Sequence, residues 1–169
     1  HDIFGRKILP EDFSMYLHAP TRTDPEMAPP GSESMYVLVP VANQQSGIDW
    51  SEVRERFADT IIDYLEEWGL EDLREQIEVQ HVFTPEDFES ELNATWGNAF
   101  AIEPKFTQTA WFRPQNRSED VKSLYLVGGG THPGAGVPGV LLSAETTFGC
   151  IAEDWGLPAQ WDWAEPGRA

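Results

Sequence analysis

Residues 128–139, GGGTHPGAGVPG, hold six of the fourteen glycines in the chain. A short apolar run, LYLV at 124–127, precedes them. Behind them Leu141, Ala144, Phe148, Ile151 and Trp155 recur at helical spacing over 140–155. The order is strand, glycine-rich loop, helix. Glycine lets the backbone approach a ligand closely and take positive φ. A helix N-terminus adds free N–H groups and a partial positive charge. Together they suit a phosphate or an electron-rich, partly anionic ring. Pro138 near the helix start costs nothing, because its missing N–H would be unpaired there anyway. The run reads as neither the dinucleotide fingerprint GxGxxG nor the phosphate loop ending in Gly-Lys-Ser/Thr. At this level a plain glycine-rich turn between strand and helix stays open.

Other chemistry-bearing residues form weaker patterns. His18, His81 and His132 have no metal-ligand spacing, and neither HExxH nor GxSxG occurs, so no metal site is expected. The single cysteine, Cys150, falls on the last helical stretch and reads as packed rather than nucleophilic. Residues 105–117, KFTQTAWFRPQNR, set three aromatics beside three cations. That suggests either ligand contact or partly buried aromatics with snorkelling arginines. Acid pairs such as Glu66/Glu67 and Glu71/Asp72 read as solvated surface.

The elements that must position the glycine run follow from periodicity. Residues 13–19 alternate and read as a half-buried strand, and 35–41 as a more interior one, with the two paired. Between them 20–31 carries four prolines and reads as a rigid loop. Residues 49–68 are the clearest helix. Asp49 and Glu52 have capping-box spacing, and Gly69 is the stop. Its apolar stripe is Trp50, Val53, Phe57, Ile61, Tyr64, Leu65 and Trp68. Residues 77–83 alternate as a strand. Thr84-Pro85 opens a short helix, and 93–104 reads as a loop.

Length and composition bound the rest. The chain has 169 residues, 40% hydrophobic and 12% aromatic, which is enough for a packed core and excludes a disordered acidic tail. Eleven cations against 29 acids give −18, against nucleic-acid binding. The acids are dispersed and only three cations are lysines, a pattern suited to a halophilic, high-salt cytoplasm. No stretch has the roughly 20 apolar residues of a membrane-spanning helix. One cysteine excludes an internal disulfide. No basic and apolar leader follows His1, so no signal peptide is expected.

The run LYLVGGGTHPGAGVPGVLLSAE closely resembles the C-terminal flavin motif of the bacterial-type phytoene desaturases, carotenoid desaturases of the flavin amine-oxidase superfamily. Residues 12–31, 35–40, 83–93, 97–104 and 108–117 are similar to that family's substrate-domain segments, so the likeness reaches to about residue 155. Family members are several times longer and hold the FAD adenosine diphosphate on an N-terminal strand–GxGxxG–helix.

The resemblance therefore implies an α/β fold, α+β within this segment. It would be the C-terminal part of a two-domain, FAD-binding, Rossmann-like flavoprotein that lacks the N-terminal GxGxxG unit. Residues 1–120 would be part of a substrate-binding domain. Residues 121–155 would be the strand, loop and helix of the flavin domain, and 156–169 a tail. Gly128, Gly129, Gly130 and Thr131 would lie along the ribityl-diphosphate. Gly136, Val137, Pro138, Gly139 and Val140 would approach the isoalloxazine, where reduced flavin gathers negative charge. The sequence departs from the family at Gly129, often alanine there, and at Ala42-Asn43 and Ser32-Glu33 on the substrate side.

The activity so implied is dehydrogenation of a long isoprenoid polyene, with a hydride passing to flavin N5 and a proton lost to a base or water. No residue here is assigned as the base. The substrate is a lipid, so the parent would associate peripherally with a membrane from the cytoplasm. It would also need its N-terminal half. A related carotenoid 3,4-desaturase or other polyene oxidoreductase is the alternative within the family. A non-catalytic acidic α+β binding domain is the alternative outside it.

Overall fold

The computed structural model describes residues 2–103 and 105–158, so the expected tail beyond residue 158 lies outside the described residues. They form a mixed helix and small-sheet fold in two compact units, His1–Gly97 and Asn98–Ala169.

In the first unit β1 (Tyr16–His18) and β2 (Tyr36–Leu38) pair antiparallel, with Tyr16 opposite Leu38 and His18 opposite Tyr36. The expected pairing is present, but each strand has shrunk to three residues. The proline-rich segment between them folds into two 3-10 turns, Pro20–Arg22 and Pro25–Met27. Helix α1 (Trp50–Glu67) starts where the sequence places it. Asp49 caps it, accepting from the Ser51 N–H at 3.0 Å and the Ser51 hydroxyl at 2.6 Å. Glu52 does not return the reciprocal bond of a capping box.

The buried face of α1 is Trp50, Ala58, Ile62 and Leu65. Burying Ile62 and Leu65 stabilises the unit by about 1.5–3 kcal/mol each relative to exposure. Tyr64 and Trp68 leave the expected stripe and face solvent, because the buried face turns toward Ala58 and Ile62. Phe13 still seals the rim, its ring 5.7 Å from Phe57 and 5.6 Å from Tyr64.

A four-residue turn of helix, α2 (Leu73–Gln76), is tied to α1 by Arg74, which reaches Asp59 and Asp63. These exposed pairs add little stability. Residues 77–83, expected as a strand, are not one. A strand needs a neighbour to pair with, and no ladder runs beside them among the described residues; Val79 is 89% exposed.

Helix α3 (Pro85–Leu92) has the predicted start and a full capping box. The Thr84 N–H donates to Asp87 at 2.7 Å, and the Asp87 N–H donates back to the Thr84 hydroxyl. Arg54 of α1 reaches the same carboxylate at 2.6 Å, locking α3 to α1.

The second unit is mostly irregular until its last helix, α4 (Val137–Trp155). Two 3-10 turns, Phe106–Gln108 and Ala110–Phe112, precede one antiparallel bridge, Arg117 to Tyr125. That bridge is all that remains of the expected 124–127 strand, since Leu124 and Val127 are exposed and without a paired neighbour strand among the described residues. No helix among the described residues is long and apolar enough to cross a membrane.

Burial works to raise the Asp87 pKa, but hydrogen bonds from Thr84 and Arg54 outweigh it and hold the carboxyl below the ordinary aspartate range. A lowered folded pKa makes the stabilisation complete above about pH 4 and lost as the pH falls through the folded value. Asp87→Asn should therefore cost about 1–3 kcal/mol near neutrality. The gap from wild type should narrow in acid, read from urea unfolding at both pH values.

Candidate functional site

The glycine run is held by polar groups, not by an oily core. The buried side chains of the second unit are Arg113, Asn116, Thr131, Ser143 and Thr147, with Ala152 the one buried apolar residue among those described. Ser143, on the first turns of α4, is fully enclosed. Its Oγ accepts from the Gly128 N–H at 3.1 Å and from Asn116 Nδ2 at 3.0 Å. The Thr131 hydroxyl lies 2.8 Å away and donates to the Gly128 carbonyl at 2.9 Å, so Ser143 is the donor to Thr131. One turn along, the Thr147 hydroxyl is 3.0 Å from Asn116 Nδ2 and donates to the Leu126 carbonyl at 2.9 Å. The backbone of Leu126 donates to the Asn116 carbonyl at 2.9 Å. Residues 116, 126, 128 and 131 are thus fastened to one face of α4.

A second set of bonds ties the loop to residues 110–114. The His132 N–H donates to the Pro114 carbonyl at 2.9 Å. His132 Nδ1 lies 3.0 Å from the Ala110 carbonyl, so that nitrogen carries the proton. The His132–Pro133 peptide is cis. Arg113, 4% exposed, donates to the Gly129 carbonyl at 2.9 Å and to the Ile102 carbonyl at 3.2 Å. The expected snorkelling does not describe Arg113, whose guanidinium is buried under the loop. It fits Arg117, which is exposed and paired with Glu153 and Asp154 at 2.9 Å each. The aromatics of this stretch, Phe106, Trp111 and Phe112, are exposed rather than partly buried.

These bonds decide where the loop's donors point. The peptides at 128–129 and 129–130 are trans, so each N–H points opposite its carbonyl. The Gly128 carbonyl turns to Thr131 and the Gly129 carbonyl to Arg113. The Gly129 and Gly130 N–H groups therefore turn the other way, and neither has an acceptor among the described residues.

Helix α4 begins at Val137, three residues before the sequence reading. Its N-cap, Gly136, has φ +91° and makes no side-chain cap bond. The first turn holds no acid, so nothing there offsets the positive end of the helix. Gly139 must be glycine: a Cβ would stand 2.6 Å from the Gly134 carbonyl oxygen. Gly134, Gly136 and Gly139 do have the G-x-G-x-x-G spacing that the sequence reading set aside. What differs is the setting, since a cis-proline turn rather than a strand leads into it.

The structure thus places Gly128, Gly129, Gly130 and Thr131 on one loop and Gly136, Val137, Pro138, Gly139 and Val140 at the helix start that follows. Thr131 spends its hydroxyl inward, while Val137 is 77% exposed. Arg113, Asn116, Ser143 and Thr147 were missed as site residues. The i, i+4 pair Ser143 and Thr147, in line on one face of the helix, was the available signal. Leu141 and Leu142 face solvent, so over its first half the inward face of α4 is the polar one. Among the described residues no group of three or more His, Cys, Asp or Glu is placed to hold a metal ion.

The far end of α4 is fixed by the Tyr125 hydroxyl, which donates to Asp154 at 2.8 Å. That bond lowers the Asp154 pKa most; desolvation opposes it and Arg117 adds to it. The carboxyl should titrate by NMR below the ordinary value of about 3.9, and Tyr125→Phe should move its midpoint up. At the near end, Ser143→Ala leaves the Gly128 N–H and Asn116 short of a buried acceptor. It should cost about 1–3 kcal/mol in chemical unfolding.

No family model matches the chain. It is 51% identical over 154 residues to a phytoene desaturase (lycopene-forming) of Pseudescherichia vulneris, covering 90% of this chain and 31% of that protein. It is 47% identical over 146 residues to a phytoene desaturase (neurosporene-forming) of Cereibacter sphaeroides, covering 85% of this chain and 28% of that protein. A 4,4'-diapophytoene desaturase (4,4'-diaponeurosporene-forming) of Staphylococcus haemolyticus is 45% identical over 157 residues, covering 90% of this chain and 31% of that protein. The chain spans about 30% of the length of these curated relatives, and over that span it matches a fragment of a bacterial-type phytoene desaturase.

Proposed function

We propose that these residues are the C-terminal part of an FAD-dependent carotenoid desaturase of the phytoene desaturase type, acting on a long isoprenoid polyene. The observation that carries this is 51% identity to a phytoene desaturase over 90% of the chain. In this reading residues 121–155 complete a Rossmann-like flavin domain and residues 1–120 contribute to the substrate domain. The parent works at the cytoplasmic face of a membrane, as a peripheral protein.

The residues present fit a flavin dinucleotide on physical grounds. The Gly129 and Gly130 N–H groups have no acceptor among the described residues, and the first turn of α4 has no side-chain cap bond and no acid. A buried guanidinium nitrogen, Arg113 Nε, has no partner among the described residues. When bound, FAD supplies the electron-pair acceptor for dehydrogenation. The task of this chain is binding and orientation. Gly129 and Gly130 offer donors to the phosphate side. Gly136, Val137, Pro138, Gly139 and Val140 present the positive helix end to the ring edge where negative charge gathers on reduction. The exposed apolar side chains Val137, Leu141 and Leu142 supply a water-excluding surface for the rest of the flavin domain.

The test begins with the reading frame upstream of the His1 codon. It should run on and encode a strand–GxGxxG–helix. The protein made from that full frame should carry flavin and convert phytoene to a more unsaturated product by chromatography. The 169 residues alone should bind FAD weakly and turn over nothing. Tight stoichiometric FAD binding by the segment alone, or a full-length protein without flavin, would overturn the reading.

A further inference from the structure

Arg113 is the anomaly of this chain's electrostatics. With 29 acids against 11 cations, carboxylates are abundant. Arg6, Arg22, Arg54, Arg74, Lys105 and Arg117 each pair with one or more of them. Arg113 is far more buried than any of these, yet among the described residues no carboxylate lies within salt-bridge distance of it. Its two terminal nitrogens are held by the carbonyls of Gly129 and Ile102, and its Nε, shut away from solvent, has no partner. A Cβ on Gly134 would sit 3.3 Å from that Nε, so the unpartnered group faces the loop just before the helix start. A buried cation without a counter-charge is costly to keep, and carbonyl dipoles offset only part of that cost.

We infer that Arg113 is a positioning residue for an anionic phosphate oxygen, acting through the Gly129–Gly130 peptide. The inference rests on the reading of the loop as the FAD site. By holding the Gly129 carbonyl, Arg113 fixes the plane of that peptide and so aims the Gly130 N–H away from itself. The same bond is charge-assisted and polarises the peptide, which makes the Gly130 N–H a stronger donor. A phosphate oxygen accepting from that N–H supplies the negative charge that Arg113 lacks within its own unit. The helix end adds to the same field, and its first turn contributes no acid to cancel it. The ligand chemistry named by these groups is a phosphate ester or diphosphate. An aromatic ring alone would leave the cation uncompensated.

The experiment uses the full-length protein that carries this segment, as wild type, Arg113→Met and Arg113→Lys, with FAD as the probe. Arg113→Met should raise the FAD dissociation constant by about tenfold or more, while Arg113→Lys, which keeps the charge and one donor but gives up the forked pair of bonds, should lose clearly less. Oxidised and reduced FAD should weaken alike, because the phosphate charge does not change on reduction. The flavin-free proteins should melt within a few degrees of one another. Unchanged affinity in Arg113→Met, or equal loss in both variants, overturns the inference. So does a loss confined to reduced FAD, or collapse of both flavin-free variants. A wild-type protein that binds no FAD overturns the functional reading, and this inference with it.

Discussion

The geometry of the second unit depends on one buried hydroxyl. Ser143 Oγ gathers the Gly128 N–H, the Asn116 amide and the Thr131 hydroxyl around a single atom on α4. Three stretches far apart in sequence meet there, and each brings a group that would be expensive to bury alone. A hydrophobic contact could hold the same pieces together but not orient their peptides. Hydrogen bonds are directional, so fixing the Gly128 N–H and carbonyl also fixes which way the next amides face. With the Gly128 and Gly129 carbonyls taken by Thr131 and Arg113, the Gly129 and Gly130 N–H groups face the opposite way and have no acceptor among the described residues.

That arrangement inverts the first half of α4 relative to an ordinary surface helix, while in its last turns Ala152 is buried and Glu153 and Asp154 are exposed. Such a helix buries its apolar stripe and shows its polar one. Here Ser143 and Thr147 are buried while Val137, Leu141 and Leu142 face solvent. The apolar spacing over 140–155 is what makes the helix legible in the sequence, but it does not say which side meets its own unit. The chain spans about 30% of the length of its curated relatives, and on the proposed reading the apolar face meets the rest of the flavin domain. The same reasoning covers residues 77–83. Their alternation is a genuine strand pattern, yet a strand exists only beside a partner, and none of the described residues provides it.

Elements with local causes were read well. The start of α1 at Asp49 and of α3 at Thr84-Pro85 follows from capping chemistry within four residues. The pairing of β1 with β2 followed from two short patterned runs joined by a proline-rich turn segment. The glycine run was legible as a loop leading into a helix because its glycines and the apolar spacing after it are local signals. The residues that hold it were harder to see. Asn116, Thr131, Ser143 and Thr147 are individually unremarkable polar residues, and their roles arise from contacts across 12 to 31 positions. Arg113 was visible only as one of three cations beside aromatics. Its burial, which separates it from Arg117, is a tertiary fact.

The acid surplus sharpens the electrostatic problem of such a loop. A chain at −18 repels any anion at long range, although salt confines that field to about 8–10 Å. Binding a phosphate then requires a local field that the distant acids do not reach. On the proposed reading that requirement is met by exclusion as much as by attraction. The first turn of α4 holds no carboxylate, and at its other end Arg117 and Tyr125 occupy Asp154. The one cation brought to the loop is withheld from every carboxylate in its unit among the described residues and held only by neutral carbonyls. An exposed arginine would be screened and, among 29 acids, readily paired. Burial keeps Arg113 in a low-dielectric setting, where its charge can act through a single peptide on whatever meets the Gly130 N–H.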